Sequence, residues 1–334
     1  MTLARPFRAL PAATPQILTF VLVLLANWAV FPDFFDLRLQ DGRLFGSLID
    51  VLNRGAPVAI LAVGMTLVIA TKGVDLSVGA VMAIAGAVAA TLAADGQPLP
   101  VILAAALSVG LLCGLWNGLL VAILDIQPII ATLILMVTGR GIAQLVTEGQ
   151  IVTFTHEGLI AVAGSALLGL PMPVVIALAL AGAVAALVRF TALGLLIESI
   201  GVNRTASTYA GVDSRSVLLA AYGVSGLCAA LAGLIAASDI RGADANNAGL
   251  WLELDAILAV VIGGTSLFGG RFSILLSLVG AFVIQAMNTG ILLSGYPPEM
   301  NLIVKATAIV LILVVQSPAA TRLKGFFGPK GGRP

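Results

Sequence analysis

The sequence predicts an all-α, polytopic membrane protein, and three observations carry that prediction. Of 334 residues, 60% are hydrophobic and only 10% are charged, against roughly 25% charged in soluble domains. Mean hydropathy is +1.11. The apolar residues also come in long blocks separated by short polar intervals, the pattern of segments that cross a hydrocarbon layer. Net charge is +1, so no basic excess points to nucleic acid. His156 is the single histidine, which excludes a histidine-based metal cluster. Cys113 and Cys228 both lie inside apolar runs and read as small packing residues rather than a disulfide framework.

A helix needs about 20 apolar residues to cross a bilayer, somewhat fewer when flanking groups snorkel. Ten blocks qualify: 16–31, 55–71, 76–94, 99–124, 128–147, 172–190, 216–238, 253–268, 272–294 and 300–316. The first follows Arg5 and Arg8 as a signal peptide would, but no small-residue cleavage site follows it, so it reads as a retained span. An even number places both termini on one side. With that side cytoplasmic, eleven Lys and Arg lie inside and four outside, while Arg140 and Lys305 fall within spans. That bias favours N-in, C-in. The chain then reads as a single transmembrane domain over 1–334, with cytoplasmic tails 1–15 and 317–334 and one long cytoplasmic loop, 191–215. The outer loops 31–54, 148–171 and 238–252 are longer and carry acidic residues. Ala245 marks the outside for labelling and Ser207 the inside. Glycine-rich runs at 79–90, 110–118 and 226–233 place small residues at helix-contact spacing, which lets membrane helices pack closely. The span count fits an inverted repeat of spans two to five in spans seven to ten, although no residue-level repeat is visible.

Motifs for bound-nucleotide or hydrolytic chemistry are missing. Gly-Lys never occurs, so there is no Walker A loop, and HExxH, GxSxG and CxxC are absent. Three polar, glycine-rich interruptions remain. In 72–79, Asp75 can cap a helix starting near Leu76, with Gly73 and Gly79 permitting a tight turn. In 253–271, Glu253 and Asp255 stand two residues apart and point in different directions on a helix, so they are not an acid/base pair. Gly263, Gly264, Gly269 and Gly270 can break that helix, which is tolerated only inside protein or along an aqueous cavity. In 194–217, Asn203 as N-cap and Gly211 as a left-handed C′ residue bound a helix of about two turns. That short helix is either a solvated connector or a knob pushed by an ATP-driven partner. Arg140 and Lys305 either snorkel or face a cavity. Asn117, Gln285 and Asn288 either hydrogen-bond neighbouring helices or, beside Trp116, meet the hydroxyls and C–H face of a sugar.

At these interruptions the chain resembles the ribose-type permeases, the membrane subunits of bacterial ABC importers for monosaccharides. The resembling runs are GVDLSVGA (73–80), GVNRTASTYAGV (201–212) and ELDAILAVVIGGTSLFGG (253–270). Further runs at 51–73, 239–257 and 288–301 resemble the galactofuranose-importer permeases more closely still. The resemblance covers nearly the whole chain. It implies the ABC importer permease fold, a bacterial inner-membrane location and a non-catalytic role. The implied partners are a cytoplasmic ATPase that binds ATP and Mg, a periplasmic sugar-binding protein, membrane lipid, and a second permease, either a homologous chain or a second copy. This chain itself is expected to bind no cofactor and no nucleic acid. Gly201, Asn203, Ala206 and Gly211 match the family's ATPase-contact loop, and Tyr209 lies in the same run. The run at 72–75 reads KGVD where GGID is commoner, which argues against an essential role for Lys72. The implied cargo is a monosaccharide in furanose form, such as galactofuranose. The rival is an ion-coupled secondary sugar transporter, which would need an Asp, Glu or His at the midplane; the sequence places none deep in a span.

Overall fold

A computed structural model describes residues 14–40, 42–295, 297 and 299–307. Residues 1–13 of the expected N-terminal tail, 308–316 of the tenth expected span and the tail 317–334 lie outside the described residues. Helix α1 (Thr14–Val30) leads through a 3-10 turn (Pro32–Phe35) to a hairpin of β1 (Arg38–Gln40) and β2 (Arg43–Phe45). Helices α2 (Ser47–Ala70), α3 (Val78–Ala94), α4 (Leu99–Ala122) and α5 (Pro128–Val146) follow. The next connection holds β3 (Val152–Thr153), α6 (Glu157–Gly164) and a small hairpin of β4 (Ala166–Leu167) with β5 (Leu170–Pro171). Helices α7 (Met172–Phe190) and α8 (Leu193–Tyr209) lead to α9 (Ser214–Ile240), β6 (Gly242–Ala243), α10 (Leu252–Ile262) and α11 (Ile274–Leu293). Proline at the first or second helical position starts α4, α5 and α7, where its missing N–H would have no helical partner anyway.

Six of these helices, α2, α4, α5, α7, α9 and α11, are long and apolar enough to cross a membrane. The expected span 253–268 is corrected: its helix has 11 residues and stops at Ile262. At 1.5 Å per residue it is about 16 Å long, half the hydrocarbon thickness of about 30 Å. The cause is local, since Gly264, Gly269 and Gly270 all take left-handed φ. Helix α2 starts at Ser47 rather than at 55, because Asp50, Asn53 and Arg54 extend the apolar helix with a polar first part.

Helices α2, α3 and α9 form the core, and α9 packs against α2, α3 and α4. Small residues make this possible. A Cβ on Gly64 would stand 2.7 Å from Ser225 Cα, and one on Gly226 would collide with the Gly110 carbonyl oxygen. The second contact, like that of Gly233 with the Met82 carbonyl, joins two of the glycine-rich runs, whose close-packing reading the structure bears out. Helices α4, α5 and α7 instead expose large apolar side chains, among them Leu112, Val137 and Leu178. At one end of this core, β3 pairs antiparallel with β6 and Ser238 Oγ donates to the Leu159 carbonyl at 2.7 Å. The chain forms two compact units, Met1–Met287 and Asn288–Pro334. In the second, residues 300–307 are helical.

Candidate functional site

The short helix foreseen after Asn203 is present, as the outer half of α8. Asn203 leaves helical geometry (φ −157°, ψ 100°), and its side-chain oxygen accepts from Ala206 N at 3.0 Å. That is an N-cap within a continuous helical stretch. At the other end Gly211 has φ +88°, Gly211 N donates to Thr208 O, and Val212 N donates to Ser207 O, both at 3.0 Å. This pair of bonds is the Schellman ending. The Thr208 and Ser214 hydroxyls are 2.9 Å apart, closing the turn into α9. Asp213 then caps α9 through Arg215 N and Ser216 N. The Ser216 hydroxyl, with the two backbone donors, holds the Asp213 carboxyl below its ordinary value. Capped on both sides, the helix presents Thr205, Ala206 and Tyr209 outward, Tyr209 at 89% exposure.

Gly201 does not belong to that outward face. It is buried, and a Cβ there would collide with the Ala70 carbonyl oxygen and stand 2.5 Å from Gly270 N. Three side chains, Lys72, Arg204 and Asp125, to which the sequence assigns no role, secure the same region. Lys72 Nζ donates to the Val202 carbonyl at 3.0 Å, Arg204 pairs with Asp125 at 2.9 Å, and Arg204 Nη2 donates to Ala122 O at 3.1 Å. A cleft of about 680 Å³ lined by Asp125, Arg204, Thr208, Tyr209 and Arg215 runs along one side of the helix.

Asp75 is not at an interface with water. It is 1% exposed, in the break between α2 and α3. Its Oδ1 accepts from Ser77 N (3.1 Å), Ser77 Oγ (2.6 Å) and Asn117 Nδ2 (3.4 Å), and its Oδ2 accepts from Ser225 Oγ (2.8 Å). The expected capping bond, from Ser77 N to the Asp75 side chain, is present, although the helix itself begins two residues later than Leu76. Helix α3 starts at Val78, and the carboxylate ties its first turn to α4 and α9. The partners could not be read from the sequence, because Ser225 lies 150 residues away.

The interruption at 253–271 meets α3 as well. A side chain on Gly79 would collide with the Gly249 carbonyl and stand 2.7 Å from Glu253 Oε2. Glu253 and Asp255 are both buried in the first turn of α10. Gly263 ends α10, where a Cβ would lie 2.7 Å from Ser277 N, and Gly264 carries φ +88°. Arg140 is a loop anchor: its Nη1 donates to Ala245 O (3.2 Å) and Ala248 O (2.5 Å), while Gln144 Nε2 donates to Asn246 Oδ1. In that loop Asp244 is held below the ordinary carboxylate value, chiefly by the Asn247 side chain. Trp116 is half exposed, whereas Asn117, the next residue, is fully buried, its amide nitrogen donating to Ser77 Oγ and Asp75 Oδ1. Gln285 is buried on α11. Asn288 and Lys305, both half-buried, belong to the second unit.

The profile of the family described as branched-chain amino acid transport system / permease component matches residues 47–315. The galactofuranose transporter permease protein YtfT of Escherichia coli (strain K12) is 62% identical over 92% of this chain and 90% of its own length. The fructose import permease protein FruF of Bifidobacterium longum is 40% identical over 91% and 87%. The ribose import permease protein RbsC of Escherichia coli (strain K12) is 37% identical over 89% and 91%. No solved structure matches the chain.

Proposed function

We propose, since the chain belongs to the branched-chain amino acid transport permease family and to its ribose-type ABC importer branch, that it forms the translocation pathway of an inner-membrane importer for a monosaccharide in furanose form. The observation that carries this reading is the capped outer half of α8. An importer subunit without a nucleotide-binding loop must receive work from a separate ATPase. A short helix fixed at Asn203 and Gly211, with Ala206 and Tyr209 exposed, transmits a displacement that a floppy loop would absorb.

The assembly consists of this chain, a second permease, a cytoplasmic ATPase holding ATP and Mg, and a periplasmic sugar-binding protein. The second permease is a homologous chain or a second copy. Both termini and the outer half of α8 face the cytoplasm, and the loop at Asp244–Asn247 faces the periplasm. Ten crossings remain the proposed topology, with the short α10 and the segment 241–251 that leads into it counted as one. Galactofuranose is the proposed cargo, from the 62% identity to a permease named for it. Buried Asp75 is the observation that an ion-coupled transporter would use. Its oxygens, however, are taken by two serine hydroxyls, an amide and a backbone N–H, so we assign it to packing. Uptake of labelled galactofuranose, in cells with and without this gene and lacking other importers for it, tests the reading. ATP depletion is expected to abolish uptake, and an ionophore that leaves ATP intact is expected to spare it. Ionophore-sensitive, ATP-independent uptake would support the ion-coupled rival.

A further inference from the structure

We infer that Lys72 and Arg204 are positioning residues that hand a displacement of the outer half of α8 to the ends of α2 and α4; the inference rests on the coupling role proposed above. Asn203 is the one non-helical residue inside α8, so it is the point about which the outer half can turn. Each neighbour of that point is held by a different helix. On one side the Val202 carbonyl accepts from Lys72, just past the end of α2. On the other, Arg204 reaches the carbonyl of Ala122, the last residue of α4, and the carboxylate of Asp125 beyond it.

The geometry around Lys72 is constrained rather than incidental. Lys72 sits at φ +64°, a conformation that costs an L side chain and persists where the surroundings over-determine it. Its stem lies across Gly269, where a Cβ would stand 2.6 Å from Lys72 Cγ. One residue before the pinned Val202, the Gly201 backbone presses on Ala70, and Gly270 N donates to Ala70 O at 2.9 Å. Three residues beyond Lys72 the chain reaches Asp75, which is tied to α4 and α9. A push on the outer half of α8 therefore has a short, continuous route into the break between α2 and α3. Without the pins the same push would be spent in rotation at Asn203. An exposed lysine–carbonyl bond contributes little to folding, so the transmission role can be separated from stability.

The test uses the assembled complex of this chain with its ATPase and second permease. Hydrogen exchange across residues 70–79 is compared with and without ATP plus vanadate. The wild type is expected to show a several-fold change in exchange there. Lys72→Met is expected to keep ATPase co-purification and lose that change, and Lys72→Arg to restore it. Arg204→Gln is expected to blunt the corresponding change across 119–126. Three results overturn the inference: no nucleotide response at 70–79 in the wild type, a full response in Lys72→Met, or failure of Lys72→Met to assemble. Ala206→Glu separates this from the coupling role itself. If Ala206→Glu keeps its ATPase, the coupling role falls. If it loses the ATPase while Lys72→Met responds as wild type, only the transmission falls.

Discussion

Single residues divide by how far their partners lie along the chain. Asn203 and Gly211 were legible in the sequence because a cap and a left-handed stop are settled within a few residues. Asp75 was legible only as a polar residue at a break. That it is buried depends on Asn117 and Ser225, on helices no local pattern connects. Removing the carboxylate leaves two buried hydroxyls and the Ser77 N–H short of an acceptor, at about 1–3 kcal/mol for each donor left unpaired, while the Asn117 amide keeps Ser77 Oγ. Asp75→Ala is therefore expected to lower the unfolding temperature markedly in detergent, with Asp75→Asn milder because it keeps an acceptor oxygen. Equal melting temperatures for Asp75→Ala and wild type would contradict the burial. Asp213 gives a pH dependence. Its folded value is lowered, so its cap on α9 is complete above the ordinary value of about 4 and is lost as pH falls through the lowered one. Protection of the Arg215 and Ser216 amides is expected to be level from neutral pH to about pH 5 and to fall only in stronger acid. Loss of protection near neutral pH would contradict the assignment.

At the scale of elements, most helices are legible within a few residues, but the start of α2 and the interrupted α8 and α10 are not. Helix α7 starts and stops where its apolar block does. Helix α10 does not, because hydropathy continues through residues 263–268 while the backbone, bent at glycine, leaves the helix. The inner half of α8, from Leu193, reads as loop in the sequence because its ten residues are too short for a span. Its outer half depends on its caps, since two turns are unstable alone. Asn203→Ala is expected to cost about 1 kcal/mol and to raise exchange at Ala206 N, with Asn203→Asp close to wild type. Gly201→Val should be far more damaging, because its side chain would meet the Ala70 and Gly270 backbones rather than a flexible neighbour. Recovery of Gly201→Val at wild-type yield would show that this contact opens easily.

For the whole molecule, the proposed orientation rests on the charge bias, and the structure changes how it should be measured. Ala245 and Ser207, the obvious probes by loop position, are both buried. Asn246 and Thr205 are exposed. In a background lacking Cys113 and Cys228, an impermeant thiol reagent added outside intact cells is expected to label Asn246→Cys and to leave Thr205→Cys unlabelled until the membrane is opened. The reverse pattern would invert the proposed topology and remove the outer half of α8 from the ATPase. The most direct test of the central claim is co-purification of the ATPase with this chain. Ala206→Glu is expected to insert and fold normally yet lose the ATPase and sugar uptake, while Asn246→Glu, on the opposite side, retains the ATPase. Normal ATPase recovery with Ala206→Glu would contradict the account and leave the capped helix a mere connector.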